Sequence, residues 1–334
     1  MSMKKILIVN VNWLGDTLFA TPFIRTVREN YPNSYIAIFT HPRCREVLEA
    51  NPNIDEIIIY DKKNQHRSLA AKFFIVSQLK TKKFDIAFIL RRSLSRAMLL
   101  FLSKIPERIG YDSKKAGFLL TRKVPHPVKD LHRVEYFLGL ARGVGMWPKS
   151  TSYEFFISAE DREMAERILS LEGIRPGEDF IVLNPGGNWD LKRWPAENFA
   201  ELGDEIFNRL KMKVVLTGAE KDIDLCNKIS ILMKTRSVSL CGKTDLKMLG
   251  AIFEKAKKVV SNDSGPMHIA VGVKTSVVAL FGPTSSRMTG PYGEGEYKIL
   301  QKDVGCSIPC YNLLCKDNRC MRVITVEDVL KAIT

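Results

Sequence analysis

The sequence predicts an α/β protein built from two Rossmann-like domains in tandem, and three observations lead there. Short, continuously apolar runs that suit buried parallel strands alternate with longer amphipathic stretches. That rhythm stops around residues 145–158 and then restarts. The chain has 334 residues, enough for two domains with a core each.

In the first half, KILIV (5–9), YIAIF (35–39), EIIIY (56–60) and DIAFIL (85–90) read as strands. Their apolar residues do not alternate with polar ones, which fits a sheet covered on both faces. Residues 16–30, 42–50 and 67–81 read as the intervening helices, and 130–144 as a further one. Gly145, Trp147 and Pro148 mark a crossing, placing the domains at 1–150 and 151–334. The second half repeats the pattern with strands FIVLN (180–184), KVVLTG (213–218), KVVSND (258–263) and SVVALFG (276–282). Its helices fall near 195–210, 220–233 and 245–256. TVEDVLKAI (325–333) reads as a closing helix capped by Thr325, with Glu327 and Asp328 in its first turn. This helix is expected to pack back toward the first domain. Two such sheets imply a cleft between their C-terminal edges, where open α/β sheets bind ligands.

Hydrophobic content of 45% with 26% charged residues is globular and excludes a disordered or fibrous chain. No run of eighteen apolar residues exists, and MSMKKILIV is too short and strand-like for a signal peptide, so the cytoplasm is the default location. The net charge of +14 is unevenly placed. Residues 1–150 hold 26 Lys+Arg against 12 Asp+Glu, whereas residues 151–334 hold 25 of each. A basic solvated surface is one reading. An anionic partner for the first half is the other: nucleic acid, a phospholipid surface or a phosphorylated substrate. No RNP, KH or helix-turn-helix pattern appears, which argues against nucleic acid.

The polar residues of interest follow strands. NVNWLGDTLFATP (10–22) leaves the first strand with a single glycine, Gly15, and an acid, Asp16, where a nucleotide fingerprint would carry three glycines. Asp16 is either a helix cap or a group whose task is a proton. PGGNWDLKRWP (185–195) combines Gly186, Gly187 and Asn188 with Lys192 before a helix, the pattern of a phosphate cradle or of an ordinary basic loop. Gly218 permits a tight turn, and Asp222 either caps the next helix or holds a ribose hydroxyl. Asn262, Asp263 and Ser264 are each good caps; together with Gly265 and His268 they suit a sugar diphosphate. No Walker loop, His-Glu-x-x-His or Asp-x-Asp metal motif is present. Cys306, Cys310, Cys315 and Cys320 cluster late, with spacings unlike a zinc ribbon; structural thiols, a metal site and a disulfide all remain open.

Four segments together resemble the ADP-heptose:lipopolysaccharide heptosyltransferases, glycosyltransferase family 9 with the GT-B fold, most closely the type II enzymes. They are ILIVNVNWLGDTLFATP, IPERIGY (105–111), NPGGNWDLKRWP and VSNDSGPMHIAVGVKTSVVALFGPTS. The resemblance spans nearly the whole chain. It implies an inverting, metal-independent transferase that needs no cofactor and takes ADP-heptose as donor. It makes Asp16 the catalytic base and Lys192 the contact to the donor diphosphate. Asp263 would hold sugar hydroxyls, with Asn262, Ser264, Gly265 and His268 around the donor. Gly187 and Asn188 would face phosphate, and Gly218, Asp222 and Thr244 would lie near ribose and adenine. The basic first domain would take an anionic inner-core acceptor, Kdo-lipid A or its heptosylated form, at the inner face of the inner membrane. Gly15, Thr17, Arg91, Arg92, Arg96, His132 and Arg133 are the acceptor candidates, with Lys114, Lys115 and Arg122 adding to the same field. The alternative is a family 9 enzyme using another nucleotide sugar or acceptor in surface polysaccharide assembly.

Overall fold

The computed structural model describes residues 3–127 and 131–334. The chain divides into two compact units, Met1–Tyr153 and Glu154–Thr334. The first contains β1 (Lys5–Val9), α1 (Leu14–Phe19), α2 (Thr21–Asn30), β2 (Tyr35–Thr40), α3 (Arg45–Leu48) and β3 (Glu56–Ile59). It continues with α4 (Leu69–Lys82), β4 (Ile86–Ile89), α5 (Leu94–Leu102), β5 (Glu107–Tyr111), β6 (Arg122–Val124) and α6 (Arg133–Arg142). Its sheet has the order β3-β2-β1-β4-β5-β6, all parallel. Ile6, Leu7, Ile8 and Val9 are fully buried, as a strand with a covered sheet face on either side requires.

The second unit contains α7 (Ala159–Leu171), β7 (Phe180–Asn184), α8 (Ala196–Glu205), β8 (Lys213–Leu216), α9 (Ile223–Leu232), β9 (Ser237–Ser239) and α10 (Leu246–Lys255). There follow β10 (Lys258–Asn262), α11 (Gly265–Gly272), β11 (Val277–Phe281), α12 (Ser286–Thr289), β12 (Tyr297–Gln301), α13 (Arg319–Arg322) and α14 (Val326–Ile333). Its parallel order, β12-β11-β10-β7-β8-β9, is the same winding again. Each unit therefore has one topological switch point: β1/β4 in the first, β7/β10 in the second.

Several elements differ from expectation. The single helix over 16–30 is two helices broken at Ala20. Pro22 has no N–H for the Leu18 carbonyl, and the Thr21 hydroxyl takes that carbonyl instead at 2.8 Å. The helix over 42–50 is a short 3₁₀ turn, Pro42–Cys44, followed by α3. The helix over 130–144 is α6, which starts at Arg133; residue 130 lies outside the described residues. Strands β5, β6, β9 and β12 and helices α5 and α7 were not foreseen. Three of those strands are short or interrupted by charge, as in Glu107 and Arg108 of β5, so no apolar run betrays them.

The closing helix α14 packs inside the second unit, on α8, β11 and β12. It buries Val329, Leu330, Ala332 and Ile333 there. Thr325 and Asp328 form a reciprocal capping box at 3.1 and 3.0 Å. Among the described residues no helix is long and apolar enough to cross a membrane.

Candidate active site

The first unit's site forms where β1 and β4 diverge. Asn10, fully buried, donates from Nδ2 to the hydroxyls of Thr17 and Thr40, both at 3.2 Å, which ties the loop after β1 to β2. Arg96 on α5 reaches in from the other side and donates to the Asn10 carbonyl and to Asn12 Oδ1. Burial pushes this guanidinium down to about 10, with the nearby Arg91 charge acting the same way. Held so, the loop presents Asp16 in the first turn of α1. Arg133 Nε lies 3.8 Å from Asp16 Oδ1. Asp16 lines a cavity of ≈ 320 Å³ together with Arg91, Arg92, Arg133, Tyr136 and Trp13. Burial raises the Asp16 carboxyl above its ordinary value; Arg133 and then Arg91 pull the other way without cancelling it.

A second cavity, ≈ 360 Å³, shares Asn12, Trp13 and Arg91 with the first. His41 lines it too, and Arg43, Lys62, Lys63, Arg91 and Arg96 make it strongly cationic. Arg43 lies over the Trp13 ring, 5.0 Å from its centroid, which fixes that guanidinium in place.

In the second unit the loop after β7 meets the end of β10. Lys192 Nζ pairs with Asp263 Oδ2 at 2.6 Å, and the Thr284 hydroxyl donates to the same oxygen at 2.6 Å. Asp263 is buried. Beside it, the wholly buried Asn262 donates from Nδ2 to the Pro185 carbonyl at 2.8 Å and accepts from the Trp194 N–H at 3.1 Å. Arg193 closes the same loop, donating to the Gly187 carbonyl at 2.8 Å and pairing with Asp222 at 3.4 Å.

Comparison with known proteins decides the family. The sequence pattern of glycosyltransferase family 9 (heptosyltransferase) matches residues 73–316. The chain belongs to glycosyltransferase family 9. It is 28% identical over 282 residues to lipopolysaccharide heptosyltransferase 2 of Salmonella typhimurium, covering 80% of each chain. It is 26% identical over 335 residues to lipooligosaccharide heptosyltransferase 2 of Campylobacter jejuni, covering 98% of each. Among solved structures, the family 9 glycosyl transferase of Veillonella parvula superposes with a TM-score of 0.90 at 28% identity, over 99% of this chain and 97% of that one. The ADP-heptose LPS heptosyltransferase II of E. coli gives 0.80 at 24% identity, over 98% and 97%, and shares the fold. The protein is thus a glycosyltransferase of the expected α/β GT-B class.

Within this glycosyltransferase the structure sorts the candidate residues. Asp16, Arg91, Arg92 and Arg133 converge on one cavity, and Lys192 and Asp263 meet directly. Others expected to touch ligand make contacts within the protein. Thr17 is buried and its hydroxyl holds Asn10 and the Trp13 carbonyl. Arg96 is buried against the β1 loop and also lines the second cavity. His132 is buried against Phe19, and its Nδ1 caps α6 by accepting from the Val134 N–H at 3.1 Å. Asn262 clasps the two ends of the β7–α8 loop. Asp222 accepts from the Ala219 N–H at 3.2 Å across the short 3₁₀ turn before α9, and makes no side-chain cap to α9 itself.

Gly218 is crowded by Cys241 and Asp222, so its missing side chain serves packing. Asn188 accepts from Lys221 at 2.8 Å. Ser264 stands at the head of α11, its hydroxyl 3.2 Å from that of Ser261; Gly265 is the first residue of that helix and His268 is buried within it. Thr244 is half-buried just before α10, whose cap is Asp245. Gly15 sits in the first turn of α1, and the cap position there belongs to Trp13, not Asp16.

All seven cysteines are free thiols, so the late cluster holds no disulfide. Among the described residues no three His, Cys, Asp or Glu are grouped to hold a metal ion. His41, Arg43, Lys62, Lys63 and Thr284 were missed in the sequence. All follow β2, β3 or β11, and the strand-end rule applied to every strand would have found them. A further cavity of ≈ 260 Å³ beside Glu166, Glu178 and Lys255 lies at the opposite, N-terminal edge of the second sheet, among ordinary surface ion pairs.

Proposed function

We propose that this glycosyltransferase transfers L-glycero-D-manno-heptose from ADP-heptose to an anionic lipopolysaccharide inner-core acceptor, with inversion and without a metal cofactor. The first unit takes the acceptor and the second the donor, at the cytoplasmic face of the inner membrane. One observation carries the reading: a carboxylate at the β1/β4 switch point, ringed by Arg91, Arg92 and Arg133 in the unit that holds all the excess positive charge. Arginines there suit acceptor carboxylates and phosphates.

In this reading Asp16 takes the proton of the acceptor hydroxyl as the anomeric carbon gains oxocarbenium character and the bond to diphosphate breaks. A base with its pKa lifted toward the working pH accepts a proton more readily than an ordinary aspartate. Lys192 turns from Asp263 to the leaving diphosphate, which offsets its developing charge and frees Asp263 for hydroxyls of the sugar.

The test is a donor screen for ADP or UDP release, with and without inner-core acceptors, both Kdo-lipid A and its heptosylated form. Acceptor-dependent release from ADP-heptose alone is the expected result. Equal or better use of a UDP-sugar would overturn it in favour of another family 9 reaction.

A further inference from the structure

Helices α4 and α5 lie side by side on the first sheet and pack on it through Ile75, Leu79, Ala97 and Leu100. Their outer sides remain apolar. Leu69 is 72% exposed and Phe73 66%, with Met98 and Leu102 also exposed. Between the helices runs a groove of ≈ 260 Å³, floored by Leu99 and Val76 and rimmed by Lys62 and Lys72. Single exposed apolar residues are normal, but a contiguous patch rimmed by charge marks an interaction surface.

The groove is not isolated. Tyr60, Lys62 and Ser95 line both it and the cationic cavity. That cavity in turn shares Asn12, Trp13 and Arg91 with the Asp16 cavity. One surface of the first unit therefore runs from a carboxylate, through a cluster of cations, to an apolar groove. An anionic glycolipid standing in a bilayer has the same order: sugar hydroxyl, anionic head, acyl chains.

We propose that the α4–α5 face is where the protein docks on an anionic bilayer. Leu69 and Phe73 enter the acyl region, and Lys62 and Lys72 stand at headgroup level. This inference rests on the reading of a membrane-anchored anionic acceptor. Charge selects the bilayer over a second copy of the chain. A symmetric dimer through this face would set the lysine rims of two strongly basic units against each other, whereas an anionic leaflet attracts both.

Cosedimentation with phosphatidylethanolamine vesicles, with and without phosphatidylglycerol, tests it. The full chain should bind only the phosphatidylglycerol vesicles, and a Leu69→Ser/Phe73→Ser variant with unchanged Tm should bind about tenfold more weakly. Its turnover should fall on vesicle-embedded acceptor and stay unchanged on a water-soluble deacylated acceptor. The Trp fluorescence of a Phe73→Trp variant should shift to the blue on those vesicles. Equal binding by variant and wild type, or no vesicle binding by wild type, overturns the proposal. So does a concentration-dependent dimer that the double substitution abolishes without any vesicle binding, which would assign the face to a second copy. Phe73-dependent binding without heptosyl transfer would overturn the functional reading and leave the docking face standing.

Discussion

The two units wind their sheets identically, yet their switch points differ in charge. At the first, one carboxylate faces three arginines in a cavity. At the second, Lys192 and Asp263 already satisfy each other at 2.6 Å, and Arg193 is tied to Asp222. An anion entering the first unit meets surplus cations. One entering the second must compete with a protein carboxylate for its lysine. The lesson is that topology fixes where a site lies and leaves its chemistry to the few residues that end each strand.

Substituting Asp16 should separate the two switch points most sharply. Asp16→Asn is expected to lower kcat by about 10²–10⁴ while donor affinity, measured by calorimetry, stays unchanged. A matching loss of donor affinity would show that Asp16 belongs to donor binding. Tm should not fall. Because the folded carboxyl is raised above its unfolded value of ~3.9, its stabilising share is full below that value and lost as pH rises through the folded pKa. At neutral pH the ionised Asp16 therefore opposes folding, and the amide does not. For the same reason the acidic limb of the kcat/KM profile should fall at a pH above that of an ordinary aspartate; a limb at or below ~3.9 would contradict the burial seen here.

Lys192→Ala comes next and should weaken donor binding and slow turnover together, because it strips the diphosphate of its partner and leaves buried Asp263 without its cation, held by the Thr284 hydroxyl. Unchanged kinetics would remove Lys192 from the mechanism. Within the first unit, Arg96 and Arg91 should part company. Arg96→Ala leaves the buried Asn10 carbonyl without its donor and should cost about 1–3 kcal/mol of stability by denaturant unfolding. Arg91→Ala should leave stability alone and raise acceptor KM. If both variants changed only acceptor KM, the scaffold role of Arg96 would be wrong.

Ionic strength gives the mildest test. Raising salt above 0.1 M, where the screening length is about 10 Å, should raise acceptor KM before donor KM, since the excess charge lies in the first unit alone. Equal salt sensitivity would erase the electrostatic contrast between the units.

Much of the site was legible in the sequence because its residues follow strong, continuously apolar strands. Asp16 after KILIV, Lys192 after FIVLN and Asp263 after KVVSN are examples. What was not legible was which way neighbouring side chains point. Asn262 and Asp263 are adjacent and both polar, yet one clasps the two ends of the β7–α8 loop and the other receives Lys192 and Thr284. Arg96 and Arg91 read alike as basic residues after β4, but a turn of α5 carries Arg96 inward to the β1 loop.

By itself, then, the sequence determined two parallel sheets, the strand ends that bear polar residues, and the confinement of positive charge to one half. Those are properties of local pattern and composition, set by periodicity of burial and by residue count. Only the tertiary structure decided which polar groups are consumed holding loops together and which are left to face a cavity. It also decided that burial raises Asp16 and that Lys192 rests on Asp263. Such outcomes depend on groups brought together from far apart in the chain, whose distances and desolvation no local pattern records.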